Sequence, residues 1–182
     1  MLSALAFALM LLDFSVAFFI PSFVKMDFSE LPALIASFAM GPLAGVLVCL
    51  VKNILHLFMT TTGGVGELCN FLLGASFVFT AGMIYKHHKS IKGALAACLA
   101  GSALMALFSF PINLYISYPV YARFLPIETI VDMYSAIWSG IKTLPQALFF
   151  VSVPFNFIFK GLGNTLLTFL IYKRISPFIK RK

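Results

Sequence analysis

Apolar runs recur along this chain at close to the length needed to cross a bilayer, and charged residues fall mostly between them. A helix rises about 1.5 Å per residue, so roughly 20 apolar residues span the ~30 Å hydrocarbon layer. Of the 182 residues, 61% are hydrophobic and only 10% are charged. A chain this apolar cannot present a polar surface to water, so lipid must be the solvent for most of its exterior. The expected fold is all-α: a polytopic membrane protein, one membrane-embedded domain over residues 1–182, with no room for a sizeable soluble domain.

Six transmembrane helices are expected. The first covers about Ser3 to Ile20 and stops at Pro21; its start lacks the basic residues and cleavage site of a signal peptide, so it reads as a retained helix. A polar loop with Lys25, Asp27 and Glu30 follows. The second segment, Leu31 to Met40, is only about half the usual length. Gly41-Pro42 ends it, because proline lacks an N–H and biases the residue before it away from helix. The third span runs from Leu43 to Met59, and a Gly-rich turn covers Thr60 to Gly66. The fourth covers Glu67 to Tyr85, the fifth Gly93 to Tyr118, and the sixth Gln146 to Tyr172 with Pro154 as an expected kink. Between the last two, a short amphipathic helix is expected around Ile127 to Trp138.

Charge sets the orientation. With the N-terminus inside, Lys86, Lys89, Lys92, Lys173, Arg174, Lys180, Arg181 and Lys182 lie inside, against Lys25, Arg123 and Lys142 outside. That imbalance favours cytoplasmic N and C termini. The net charge of +7 therefore reports topology, not nucleic-acid binding, since no basic stripe interleaves with aromatics. Cys49, Cys69 and Cys98 lie in apolar runs without metal-ligand spacing and read as packing residues.

Polar side chains inside apolar runs carry the functional information, since each costs a few kcal/mol at mid-bilayer unless paired or wet. Glu67 and Asn70 share a face of the fourth span. Asn113 follows Pro111 in the fifth. Asn156, Lys160 and Asn164 form a stripe on the sixth. Lys52 is expected to pair with Glu67, and His56 to be a packing or interfacial residue. Any of the asparagines could be interhelical glue. Taken together, Glu67, Asn70, Asn113 and Asn156 project to the outer half of the bilayer, with Lys160 nearer its middle. That grouping predicts an outward pocket, and the 21 phenylalanines offer flat apolar walls. Amides with few cations suit a neutral, planar, polar-edged ligand rather than a phosphate.

Several stretches resemble a known family. These are Lys25-Met26-Asp27-Phe28-Ser29-Glu30-Leu31-Pro32-Ala33-Leu34, Met40-Gly41-Pro42-Leu43-Ala44-Gly45 and Gly63-Gly64-Val65-Gly66-Glu67-Leu68-Cys69-Asn70-Phe71. Pro154-Phe155-Asn156 with Lys160-Gly161, and Tyr172-Lys173-Arg174-Ile175-Ser176-Pro177, complete the set. They resemble the riboflavin-specific S components of energy-coupling factor (ECF) vitamin transporters, over nearly the whole chain. The resemblance implies six helices in a bacterial plasma membrane and high-affinity capture of riboflavin near the outer face. Riboflavin would be transported cargo, not a cofactor. Implied polar contacts are Asn113, Asn156 and Lys160; the hydroxyls of the ribityl chain need further partners, for which Lys160, Glu67 or Asn70 are the candidates, and Leu34 and Phe28 complete the expected site. It also implies that Ala4 and Ala8 form a small-residue motif docking onto a transmembrane T subunit, with two ATPases completing the complex.

No Walker A, HExxH or GxSxG pattern occurs, so the chain is read as neither an ATPase nor an enzyme. The rival readings are an S component for thiamin or folate, or a structural membrane subunit.

Overall fold

The computed structural model describes residues 1–170, apart from 23 and 61. The end of the expected last span, the whole of the motif that starts at Tyr172 and the basic C-terminal run lie outside the described residues.

Helix α1 is Leu2–Leu11, α2 is Glu30–Met40 and α3 is Pro42–His56, which runs on as a 3₁₀ turn over Leu57–Met59. Then come α4 (Val65–His87), α5 (Ile91–Tyr121), α6 (Ile127–Ser135) and α7 (Leu144–Leu170). Among the described residues, four helical stretches are long and apolar enough to cross a membrane: Pro42–Met59, α4, α5 and α7. Helices α1 and α2 are apolar but short. At 1.5 Å per residue each is about 15–17 Å long, roughly half the hydrocarbon thickness.

The first expected span is therefore corrected: its helix ends at Leu11, not Ile20. Residues 12–29 form an irregular strap, pinned by a two-residue antiparallel ladder pairing Phe14 with Met26 and Ser15 with Lys25. Asp13 explains the break. Its carboxylate would be costly in a lipid-facing helix, and it instead pairs with Lys25 at 2.9 Å. The apolar residues beyond it are consumed by protein contacts. Phe19 packs on Trp138, Phe155 and Phe159, and the Trp138 indole N–H donates to Phe19 O at 3.1 Å.

The break at Gly41-Pro42 forms as expected. Gly41 adopts φ +105°, a conformation that side chains disfavour, and Pro42 begins α3 where its missing N–H has no helical partner to lose. This hairpin folds α2 back on α3, where Gly45 faces Ser37 and Ala33 too closely for a Cβ. Ser37 Oγ donates to Val78 O of α4 at 2.8 Å.

Two apolar clusters result. One joins α1 to α5 through residues such as Ala6, Leu34, Cys49, Phe77 and Met105. The other joins the strap, the end of α5, α6 and α7 through Ile20, Tyr118, Ile130, Tyr134 and Phe155. The amphipathic α6 is present, shorter than expected, with Ile130 and Tyr134 on its buried face. Pro154 is accommodated by π-helical turns on either side, Leu148–Ser152 and Asn156–Leu162. Proline cannot donate to the carbonyl four residues back, and wider i→i+5 bonding passes such carbonyls to a later N–H. A third π stretch, Asn113–Ser117, follows Pro111 in α5.

Candidate functional site

The ends of α1, α3 and α5 and the beginnings of α4 and α7 gather at one end of the bundle around a cavity of about 380 Å³. That lies within the usual range for small-molecule sites, roughly 300–1,000 Å³. The strap closes part of it with Val24, Lys25 and Asp27.

On one wall two asparagines meet across helices. Asn113 donates its amide to Ser152 Oγ at 3.2 Å. Asn156 donates to Ser152 O at 2.9 Å. Each asparagine opens a π-helical stretch. Such bulges recur at functional sites because they re-aim side chains.

A polar chain runs from Lys160, one turn further along α7, into the protein. Lys160 Nζ donates to Asn70 Oδ1 at 3.4 Å and lies 3.4 Å from Glu30 Oε1. Glu30 also pairs with Lys52 at 3.1 Å, and Lys52 donates to Ser29 Oγ. Ser29 N–H donates to Asp27 Oδ1 at 2.8 Å, and Asn70 reaches Asp27 Oδ2 at 3.5 Å. Two carboxylates thus balance two ammonium groups, which makes their burial tolerable. Burial alone would raise the Asp27 carboxyl, but Lys160, Lys52 and the Ser29 hydrogen bonds together outweigh it and hold it below its ordinary 3.8.

The expected Lys52–Glu67 pair does not form. Lys52 faces α2 and takes Glu30 as its partner, whereas Glu67 is engaged from its own side of the cavity. His56 Nδ1 lies 2.8 Å from Glu67 Oε1, and Thr60 and Thr62 donate to Oε2 at 2.9 and 3.2 Å. His56 is thus a polar partner on the cavity wall, not a packing residue.

The remaining wall is aromatic: Tyr118, Tyr121, Tyr134 and Phe155. The Tyr118 and Tyr134 hydroxyls are 2.7 Å apart, tying α6 to α5. Burial pushes the Tyr134 hydroxyl up to about 12, so it stays neutral.

The cavity brings together Glu67, Asn70, Asn113, Asn156 and Lys160 from the sequence reading. Leu34 is instead fully buried in the first apolar cluster, and Phe28 packs against the second and against the Phe14 ring. Ala4 and Ala8 lie one turn apart on the exposed face of α1, opposite the buried Ala6 and Met10. Sequence reasoning missed Ser152, Asp27 and the tyrosines as cavity residues. Ser152 stands one turn before Asn156, and Tyr134 lies on the apolar face of an amphipathic helix; those spacings were the available signals.

A helical membrane bundle with a polar-edged, aromatic-walled cavity at one end defines a membrane protein that binds small molecules. Known proteins narrow that class. A family model for the substrate-specific component of ECF transporters matches residues 1–172. The riboflavin transporter RibU of Staphylococcus aureus (strain TCH60) is 35% identical over 182 residues, covering 100% of this chain and 89% of that protein. The riboflavin transporter FmnP of Bacillus subtilis (strain 168) is 35% identical over 185 residues, covering 100% and 92%. A solved structure described as the S component of a bacterial ECF transporter aligns with TM-score 0.75 and 34% identity over 99% of this chain and 94% of that one. The chain belongs to the substrate-specific components of ECF transporters. It is a multi-pass protein of the cell membrane and a transporter component, not an enzyme.

Proposed function

We propose that this chain is the riboflavin-binding subunit of an ECF-type vitamin uptake transporter. The observation that carries this reading is the cavity itself, where amides of Asn70, Asn113 and Asn156 and the Lys160 ammonium meet an aromatic wall. An isoalloxazine ring is a flat apolar body with an imide edge; the aromatic wall suits its faces and the amides its edge. The polyhydroxyl ribityl chain suits the Lys160, Asn70 and Glu67 side. The names of the relatives at 35% identity support the same ligand.

The helix order gives the topology of the proposal. Helices α1, α3 and α5 run toward the cavity end and α2, α4 and α7 away from it, making six passes with two of them half-length. With the basic 86–92 turn inside, the cavity opens outward and both termini are cytoplasmic. A T subunit and two ATPases supply the energy, and the exposed Ala4/Ala8 face is where the T subunit docks.

The test is direct. Apo protein in detergent is titrated with riboflavin, thiamin and folate, following flavin fluorescence quenching for the first. Riboflavin should saturate the protein at stoichiometric ratio; absence of quenching at micromolar protein sinks the reading. Bulky residues at Ala4 and Ala8 should leave binding intact and abolish uptake. Uptake that survives them removes the docking role.

A further inference from the structure

Ser152 uses its hydroxyl differently from four other buried hydroxyls of α5 and α7. Ser102 and Ser109 donate to backbone carbonyls at 2.8 and 2.7 Å, three or four residues back, and Thr165 and Thr168 do the same at 2.7 Å. That local bond satisfies such a hydroxyl and takes it out of use. Ser152 Oγ makes no such bond among the described residues. It accepts from Asn113 Nδ2 at 3.2 Å and from Asn156 Nδ2 at 3.5 Å.

The neighbouring bond fixes the chemistry. Asn156 Nδ2 donates to Ser152 O at 2.9 Å, and a backbone carbonyl can only accept. The two ends of the Asn156 amide are therefore assigned by its partner rather than by fit alone. Asn156 Oδ1 takes no hydrogen bond among the described residues. Among the described residues, the side-chain oxygens sealed in the protein without partners are Glu30 Oε2, Asn53 Oδ1 and Asn164 Oδ1. Asn156 Oδ1 is not one of them, and Asn156 lines the cavity. It is an open acceptor.

We infer that Ser152 is a positioning residue: its backbone carbonyl holds Asn156 with the acceptor free for the ligand, and its hydroxyl, the part that substitution removes, draws Asn113 alongside. Its own hydroxyl proton and the second Asn113 N–H remain as donors. The group then offers an acceptor flanked by donors. That is the complement of an imide edge, whose N–H lies between two carbonyls. The trio selects for a ring N–H, and this deepens the flavin reading above, on which it rests.

The experiment compares riboflavin with 3-methylriboflavin, in which the ring N–H is replaced by N–CH₃, using the purified full chain and fluorescence titration. A buried site built to accept a proton rejects an analogue lacking it, so the wild type should favour riboflavin by roughly 100-fold. In Ser152→Ala, riboflavin affinity should fall by about tenfold, the scale of one well-placed hydrogen bond. Affinity for the methylated flavin should stay unchanged, so the ratio contracts. Ser152→Thr, which keeps the hydroxyl, should restore the ratio. Equal loss of both flavins in Ser152→Ala means a packing role and overturns the inference, as does an unchanged ratio. A wild type that binds both flavins equally overturns the acceptor assignment while leaving flavin binding intact. A wild type that binds neither overturns the flavin reading itself.

Discussion

Lys52→Met removes a fully buried charge while keeping the length of the side chain. In the folded protein Lys52 and Glu30 are both inaccessible to solvent and 3.1 Å apart. Removing one partner of such a pair costs about 3–5 kcal/mol, because the other is left buried and uncompensated. Here Glu30 keeps Lys160 at 3.4 Å, so the loss should lie near the lower end, about 3 kcal/mol. For a chain of this size that corresponds to a melting point lower by roughly 6–12 °C. The buried cysteines Cys49, Cys69 and Cys98 provide the assay, since a thiol-reactive dye reports their exposure on heating. A second effect should accompany the first. Glu30, short of one cation, draws Lys160 away from Asn70 and the cavity, and ligand affinity falls. The double variant Lys52→Met/Glu30→Gln leaves no unpaired carboxylate and should recover most of the stability. A single variant that melts within about 2 °C of wild type, on the scale just used, refutes the reasoning. So does a double variant no more stable than the single.

Other expectations follow from the same structure. Gly82→Ala places a Cβ against Ser37 Oγ and 2.9 Å from Pro42 Cα, prising α2 and α3 from α4. Overpacking of this kind costs about 1–3 kcal/mol, readable in the same melt. Lys25→Ala breaks the Asp13 ion pair, but Lys25 is 60% exposed, so the melt should move by less than the equivalent of about 1 kcal/mol. A larger shift would make the strap ladder depend on that pair. Because the Asp27 carboxyl is held below its ordinary value, its contribution to stability is complete above pH 3.8 and lost only as pH falls through the lower folded value. Melts taken from pH 7 down to pH 3 should therefore show no Asp27-dependent decline before the acid end, and Asp27→Asn should lose that contribution at every pH above it.

Much of this architecture can be read in the chain because lipid leaves few alternatives. Unsatisfied backbone groups are prohibitive in hydrocarbon, so long apolar runs must be helices. The runs later seen as α3, α4, α5 and α7 were accordingly legible within a few residues, as was the break at Gly41-Pro42. The first run shows where that logic fails. Hydropathy measures whether a residue avoids water, not whether lipid or protein receives it. Phe19 is received by Trp138, Phe155 and Phe159, and the run leaves its helix after Leu11, just ahead of Asp13.

The polar residues divide in the same way. Helical spacing alone groups Asn156 with Lys160 and Glu67 with Asn70, and the cost of burying them marks them as a candidate site. Pairing is another matter, because it depends on which faces meet between elements distant in sequence. Lys52 could equally have answered Glu67 by proximity along the chain; the packing of α2 on α3 gave it Glu30 instead. Ser152 is the sharpest case. In the sequence it is one serine in an apolar helix. Only the crossing of α5 over the π-helical start of α7 sets it between two asparagines, since the wider turn and the facing helix, not residue identity, decide what a hydroxyl can reach.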